Sequence, residues 1–154
     1  MRTIISLAAA LLFINSLSAQ LKRPAPKEKR IDSLKLFCPM PGVLPQAPSV
    51  EKGTGYKGDL KVTFKSVKDT VFLAPAEGKI DLVTMGEGGK YEIVLHYFNY
   101  NIWISGLSKV LVKKNDSLKK GQAVGTLAAG DEIDLLVFDD EEAVDPRKFL
   151  DCKP

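Results

Sequence analysis

The chain has 154 residues, with 22 Lys and Arg against 19 Asp and Glu, a formal net charge of +3, and a single histidine. So small a positive excess argues neither for nucleic acid nor for a membrane surface as partner. The chain opens with an export signal over residues 1–19. Met1-Arg2 supplies the positive start, Ile4–Ile14 the apolar run, and Ser16-Leu17-Ser18-Ala19 the small residues of a cleavage site. The cut is placed near Ala19–Gln20, with cleavage after Ser18 as the alternative because Leu17 fits the pattern imperfectly. The run is shorter than the roughly 20 apolar residues a membrane span needs. No cysteine follows it, which argues against a lipid anchor. The reading is a secreted or periplasmic protein without stable membrane insertion. Loss of Arg2 with the signal lowers the net charge from +3 to +2.

Residues 20–58 read as a charged, Pro-rich linker and an extended lead-in. Lys22, Arg23, Lys27, Lys29 and Arg30 lie among Pro24, Pro26 and Glu28, the pattern of a solvated, poorly ordered linker over 20–35. Weak attraction to an anionic cell wall is the lesser alternative. From 36 to 58, four prolines and four glycines exclude helix. This stretch is expected to pack along the domain and to be held there by Cys38.

Residues 59–154 form the predicted β domain. Leu60, Val62 and Phe64 alternate with Asp59, Lys61, Thr63 and Lys65. Val71–Ala74 precedes a turn at Glu77-Gly78, Ile80–Val83 resumes, and Gly86–Gly89 is a loose turn. Tyr91–Phe98 and Ile102–Leu107 read as a hairpin around Asn99-Tyr100-Asn101. Val110–Val112, Ala123–Leu127 and Ile133–Phe138 complete the series. No helical period appears, so the fold class is all-β, one barrel or sandwich of short antiparallel strands. A weak internal echo links Val71–Ile80 with Val112–Val124, as in a duplicated motif. Cys38 and Cys152 bracket the domain. An even pair in an oxidising compartment reads as a disulfide, worth up to about 4–5 kcal/mol in the chain-entropy model. A metal or redox pair is the rival, and no Cys-x-x-Cys supports it.

Three blocks carry a family resemblance. Asp69–Ile80 resembles the G-T-P-V-x-A-P-A-D-G-x-V stretch of LytM-type, or lysostaphin-type, zinc endopeptidases. Val110–Gly125, with Val112-Lys113-Lys114-Asn115-Asp116 and Lys119-Lys120-Gly121-Gln122, is similar to their V-K-x-G-D-x-V-K-x-G-Q-x-I-G stretch. Asp145–Leu150 resembles their D-P-x-x-Y-L ending. The resemblance covers nearly all of residues 59–150 and implies a β-rich barrel built from a duplicated hybrid motif, in a family that cuts peptide cross-links of bacterial walls. Biotinyl and lipoyl carriers share the rhythm of the second block, but the hairpin that would carry their cofactor is absent.

Carried over position by position, the family's site is degenerate. Its His-x-Gly-x-Asp motif falls on Asp59, Lys61 and Thr63. The histidine of Tyr-x-His-Leu falls on Gly106, and His-x-His falls on Glu132 and Asp134. Each position that the resemblance assigns to metal or catalysis has changed. His96 matches a histidine that is no zinc ligand in the family, and a structurally satisfied strand residue is its plain reading. One histidine cannot furnish a histidine-built zinc site that keeps a position open for water. The site residues are therefore read as vestigial: Asp59, Thr63, Gly106, Glu132 and Asp134, with no metal and no cofactor. Gly106, in place of a ring, is expected to leave space beside Trp103 or Leu107.

The same residues are open to two other chemistries. Asp59, Glu132 and Asp134 could hold a hard cation such as Ca²⁺ or Mg²⁺, or act as paired carboxylates on a glycoside. Solvated carboxylates on an edge strand explain the pattern without either. Tyr91, Tyr97, Phe98, Tyr100 and Trp103 read as core and hairpin packing. The resemblance thus implies a catalytically inactive envelope protein that binds peptidoglycan or regulates a cell-wall hydrolase. The alternatives are a hydrolase with a rebuilt carboxylate site and a structural envelope module.

Overall fold

The computed structural model of the chain describes residues 29–46 and 60–153. The export segment 1–19, the linker to residue 28, the stretch 47–58 and Asp59 lie outside the described residues. Within them the chain forms strands β1 (Leu36–Phe37), β2 (Val62–Lys65), β3 (Thr70–Leu73), β4 (Gly78–Met85), β5 (Tyr91–Tyr97), β6 (Tyr100–Leu107), β7 (Lys109–Val110), β8 (Ser117–Leu118), β9 (Ala123–Leu127), β10 (Glu132–Asp139), β11 (Glu142–Val144) and β12 (Leu150–Asp151). The period of two explains the longer ones. Ile133, Leu135 and Val137 are buried on β10, while Glu132, Asp134 and Leu136 face out. Ile102 and Ile104 on β6, Ile93 and Leu95 on β5, and Val62 and Phe64 on β2 bury the same way.

The large sheet runs β11-β10-β6-β5-β4-β8, and β2 also pairs with β10. A smaller sheet runs β3-β9-β7. These pairings are all antiparallel. One hydrophobic cluster, containing Phe64, Phe72, Ile80 and Leu107, joins the two sheets. Each such side chain contributes about 1.5–3 kcal/mol by leaving water. The expected all-β class of short antiparallel strands is the fold observed. The hairpin turn differs from expectation: it is Phe98-Asn99, with Phe98 at φ 55°, and Tyr100 already belongs to β6. Burial is the cause. Tyr100 packs edge-on against Phe149, and Asn99 Nδ2 donates to Asp139 Oδ1 at 2.7 Å. The position of β10 is a second correction. It is no edge strand, for β6 flanks one side and β2 and β11 the other.

The repeating rhythm of the second block has a local cause. Lys113 N donates to the Asp116 side chain and Asp116 N to Lys113 O; Lys119 and Gln122 repeat the pair of bonds, and so do Ala128 and Asp131. The third residue of each turn, Asn115, Gly121 or Gly130, has φ between 74° and 87°. A turn of this kind needs positive φ there, which glycine and asparagine tolerate best. The closing block is equally local. Asp145 accepts from Arg147 N and pairs with the Arg147 guanidinium, so its carboxyl titrates below its usual range.

The lead-in belongs to the same core. Leu34, Leu36, Cys38 and Met40 are buried with the barrel, β1 lies parallel to β12, and Cys38 is disulfide-bonded to Cys152. Residues 29–35, expected as solvated linker, lie against the sheet: Arg30 pairs with Asp139 and Asp140, and Ile31 N donates to Asn99 Oδ1. Arg30, one of the linker charges, therefore has partners that are distant in sequence.

One ion pair fixes the start of β10. Asp131 Oδ2 accepts from Lys90 Nζ at 2.6 Å, from the Ser108 hydroxyl and from Ala128 N at 2.8 Å. These donors, Lys90 foremost, hold its carboxyl at a pKa of about 2. An unfolded aspartate titrates near about 3.9, so the stabilisation is fully present above that pH and is lost as pH falls toward 2. Asp131→Asn should destabilise the protein by about 1–3 kcal/mol at neutral pH. It should also flatten the fall in stability between about pH 4 and pH 2. Urea melts across that range check both, and an unchanged acid profile would remove Asp131 as its source.

Candidate functional site

The outer face of the large sheet carries Thr63, Glu132 and Asp134, three of the positions that the resemblance singles out. Register builds it in rows. Thr63, Asp134, Ser105 and Glu92 stand side by side on β2, β10, β6 and β5. Leu136, Trp103 and Val94 form the next row, and Phe138, Asn101 and His96 the third. Lys61 precedes Thr63 by two residues and shares its face. The result is a groove of about 380 Å³ lined by Lys61, Glu92, Trp103, Ser105, Asp134, Leu136 and Phe138. Hollows of 410 and 450 Å³ lie elsewhere, the first beside Tyr97 and Lys120, the second between Val71 and Thr126. Neither contains a position assigned by the resemblance.

Thr63 and Asp134 meet directly. The Thr63 hydroxyl donates to Asp134 Oδ1 at 2.5 Å, and Lys61 Nζ donates to Oδ2 at 2.8 Å. Both carboxylate oxygens are thereby engaged, and the aspartate is half-buried. Glu132 lies two residues along the same face, at the exposed sheet end, 3.3 Å from Lys65 Nζ. Asp59 is outside the described residues. His96 stands in the third row, with Nδ1 2.9 Å from Asn101 Oδ1.

Gly106 corrects an expectation. No space lies where its side chain would be. A Cβ there would stand 2.5 Å from the Glu132 carbonyl oxygen and 3.1 Å from Ile133 Cα. Its φ of 118° is one that L side chains rarely adopt. The backbone of β10 fills the room that the sequence left open.

Lys61 and Glu92 line the groove and carry no functional role in the sequence alone. Lys61 is brought diagonally beside Asp134 by the pairing of β2 with β10, across 73 residues of chain. Glu92 Oε1 accepts from Ser105 Oγ at 3.0 Å. Gly86 leaves room for that carboxylate, since a Cβ at 86 would stand 2.6 Å from Glu92 Oε1. The alternation of β2 was enough to put Lys61 on the face of Thr63; nothing local marked its partner.

No protein-family model matches the chain, and no curated protein sequence does either. Solved structures do. Csd3 of Helicobacter pylori superposes with a TM-score of 0.64 at 16% identity, over 82% of this chain and 36% of its own. A chain of the SpoIIQ–SpoIIIAH pore forming complex gives 0.59 at 16%, covering 82% and 93%. Lysostaphin gives 0.55 at 21%, covering 70% and 49%. The class these define is the β-rich fold of the LytM- and lysostaphin-type, or M23, peptidases, and the chain has that fold. It spans about a third of Csd3 and half of lysostaphin.

The fold family implies zinc, and the described donor set does not fit it. Among the described residues no group of three or more His, Cys, Asp and Glu side chains could hold a metal ion. Asp134 has an ammonium on one oxygen and a hydroxyl on the other. A divalent cation would have to displace Lys61 and then sit beside its repelled charge. Gly106 offers no donor, and Glu132 is turned to Lys65. Carboxylate without histidine is also the oxygen-rich chemistry of harder ions.

Proposed function

We propose that the protein is an exported, catalytically inactive member of the LytM-type fold that acts by binding in the cell envelope. Its ligand is peptidoglycan, and its role is to mark or guide the site where a wall hydrolase works. The observation that carries this reading is the Lys61–Asp134–Thr63 cluster, which seats a protein cation at a position the resemblance assigns to a zinc ligand. Export follows from the segment 1–19, with the mature chain beginning near Gln20. The likeness to a chain of a two-protein complex supports an assembly role for this fold. Among the described residues no helix is long and apolar enough to cross a membrane.

The expected result is a purified mature protein that carries no stoichiometric zinc after metal supplementation, leaves sacculus suspensions turbid, and yet co-sediments with sacculi. Elemental analysis, turbidity and pelleting are run on one preparation. Tightly held zinc together with clearing of the suspension would overturn the reading. So would failure to co-sediment.

A further inference from the structure

Two carboxylates line the groove, and among the described residues only one has an ion-pair partner. Asp134 has Lys61 at 2.8 Å. Glu92 has the Ser105 hydroxyl and, among the described residues, no ion-pair partner. A carboxylate can accept about four hydrogen bonds, so one hydroxyl leaves most of its capacity open to a ligand. With Lys61, Asp134 and Glu92 counted together, the described lining of the groove carries one net negative charge. Glu92 is also half-buried, which strengthens its attraction for a cation relative to an exposed carboxylate.

The surroundings restrict the cation. Ser105 joins Glu92 to Asp134 in one row, and Trp103 and Leu136 occupy the next, with Phe138 beyond. A strongly hydrated inorganic ion gains nothing from that apolar wall. A primary ammonium on an aliphatic stem gains twice: charge-assisted hydrogen bonds to Glu92, and contact of its methylenes with Trp103 and Leu136. The indole face adds attraction for the ammonium itself. A groove of about 380 Å³ admits a short segment, not a folded surface.

We propose that this groove captures the primary ammonium group of a short peptide, with Glu92 as counter-charge and Trp103, Leu136 and Phe138 as the wall for its aliphatic stem. The inference rests on the binding role proposed above and specifies its chemistry: the ligand is the amine-bearing peptide portion of the wall.

The chain's only tryptophan is Trp103, so its emission reports on this groove alone. A blocked Ala-Lys-Ala tripeptide is titrated against the same tripeptide with its lysine ε-amine acetylated, by calorimetry and by Trp103 emission. The free amine should bind at least about tenfold more tightly and shift the emission, the size expected for one charge-assisted contact. Raising the salt should weaken it. Glu92→Gln keeps the shape and the Ser105 contact, and should erase the preference. The acetylated ligand makes the same test on the unaltered protein. Equal binding of the two tripeptides, no binding of either, or binding that leaves Trp103 emission unchanged overturns the proposal. Co-sedimentation with native and with chemically N-acetylated sacculi separates the two readings. Equal pelleting with both, and no amine preference, sinks this inference and leaves wall binding standing. Amine preference without any pelleting leaves ammonium capture by the groove standing and sinks wall binding, and with it the wall peptide as ligand.

Discussion

Replacing Cys38 and Cys152 together by serine should lower the stability of the oxidised protein by about 4–5 kcal/mol in the chain-entropy model. The bridge spans a sequence separation of 114, so it removes a large set of conformations from the unfolded chain. Domains of this size commonly hold only about 5–15 kcal/mol in all. The lead-in should nevertheless stay docked in the native state. Leu34, Leu36 and Met40 are buried, each contributing about 1.5–3 kcal/mol, and Leu36 N donates to Phe149 O. The effect therefore lies in the unfolded ensemble. Urea melts should show a lower midpoint for the variant, and reduced parent protein should melt with it. Protection of the Leu36 amide under native conditions should be retained. A variant within about 1 kcal/mol of the oxidised parent would contradict the argument.

Gly106→Ala should cost about 3 kcal/mol or more, although one methyl group is a small change. Two penalties combine: positive φ, worth about 1–3 kcal/mol, and overpacking of similar size. The atom in the way is a backbone carbonyl oxygen of β10, 2.5 Å from the Cβ position. A side chain could rotate aside, but β10 is paired on both flanks and cannot shift alone. Tryptophan at 106 should be worse still and should yield little folded protein. Thermal melts of the alanine variant decide the point, and a melting temperature equal to the parent's would show that β10 yields easily.

Strands long enough to show alternation were legible in the sequence. Ala123–Leu127 is β9, and Ile133–Phe138 lies within β10. The two-residue strands β1, β7, β8 and β12 are too short to show a period and form because backbone partners arrive from elsewhere. The turn at Phe98-Asn99 was hidden because its determinants, Asp139, Phe149 and Ile31, are remote in sequence. Alternation likewise put Glu132 and Asp134 on one face, but it cannot distinguish an edge strand from an interior one. Motif register located Thr63 and Asp134, which do touch. It gave no sign that Lys61 would complete the cluster, that Glu92 would have no counter-charge among the described residues, or that Gly106 would be pressed against backbone.

The joined ends of the barrel have a mechanical consequence. β1 lies along β12, and the bond from Cys38 to Cys152 ties the lead-in to the far end of the chain. Tension applied between Cys38 and Cys152 passes through that covalent link and does not load the strands between them. Among the described residues, 29–37 and Lys153 lie outside it, and in the first group Arg30 and the buried Leu34 and Leu36 resist a pull by shear and burial. Under such a pull the oxidised protein would behave as a short rigid bead, while the reduced protein would lengthen by the full contour of its sheets.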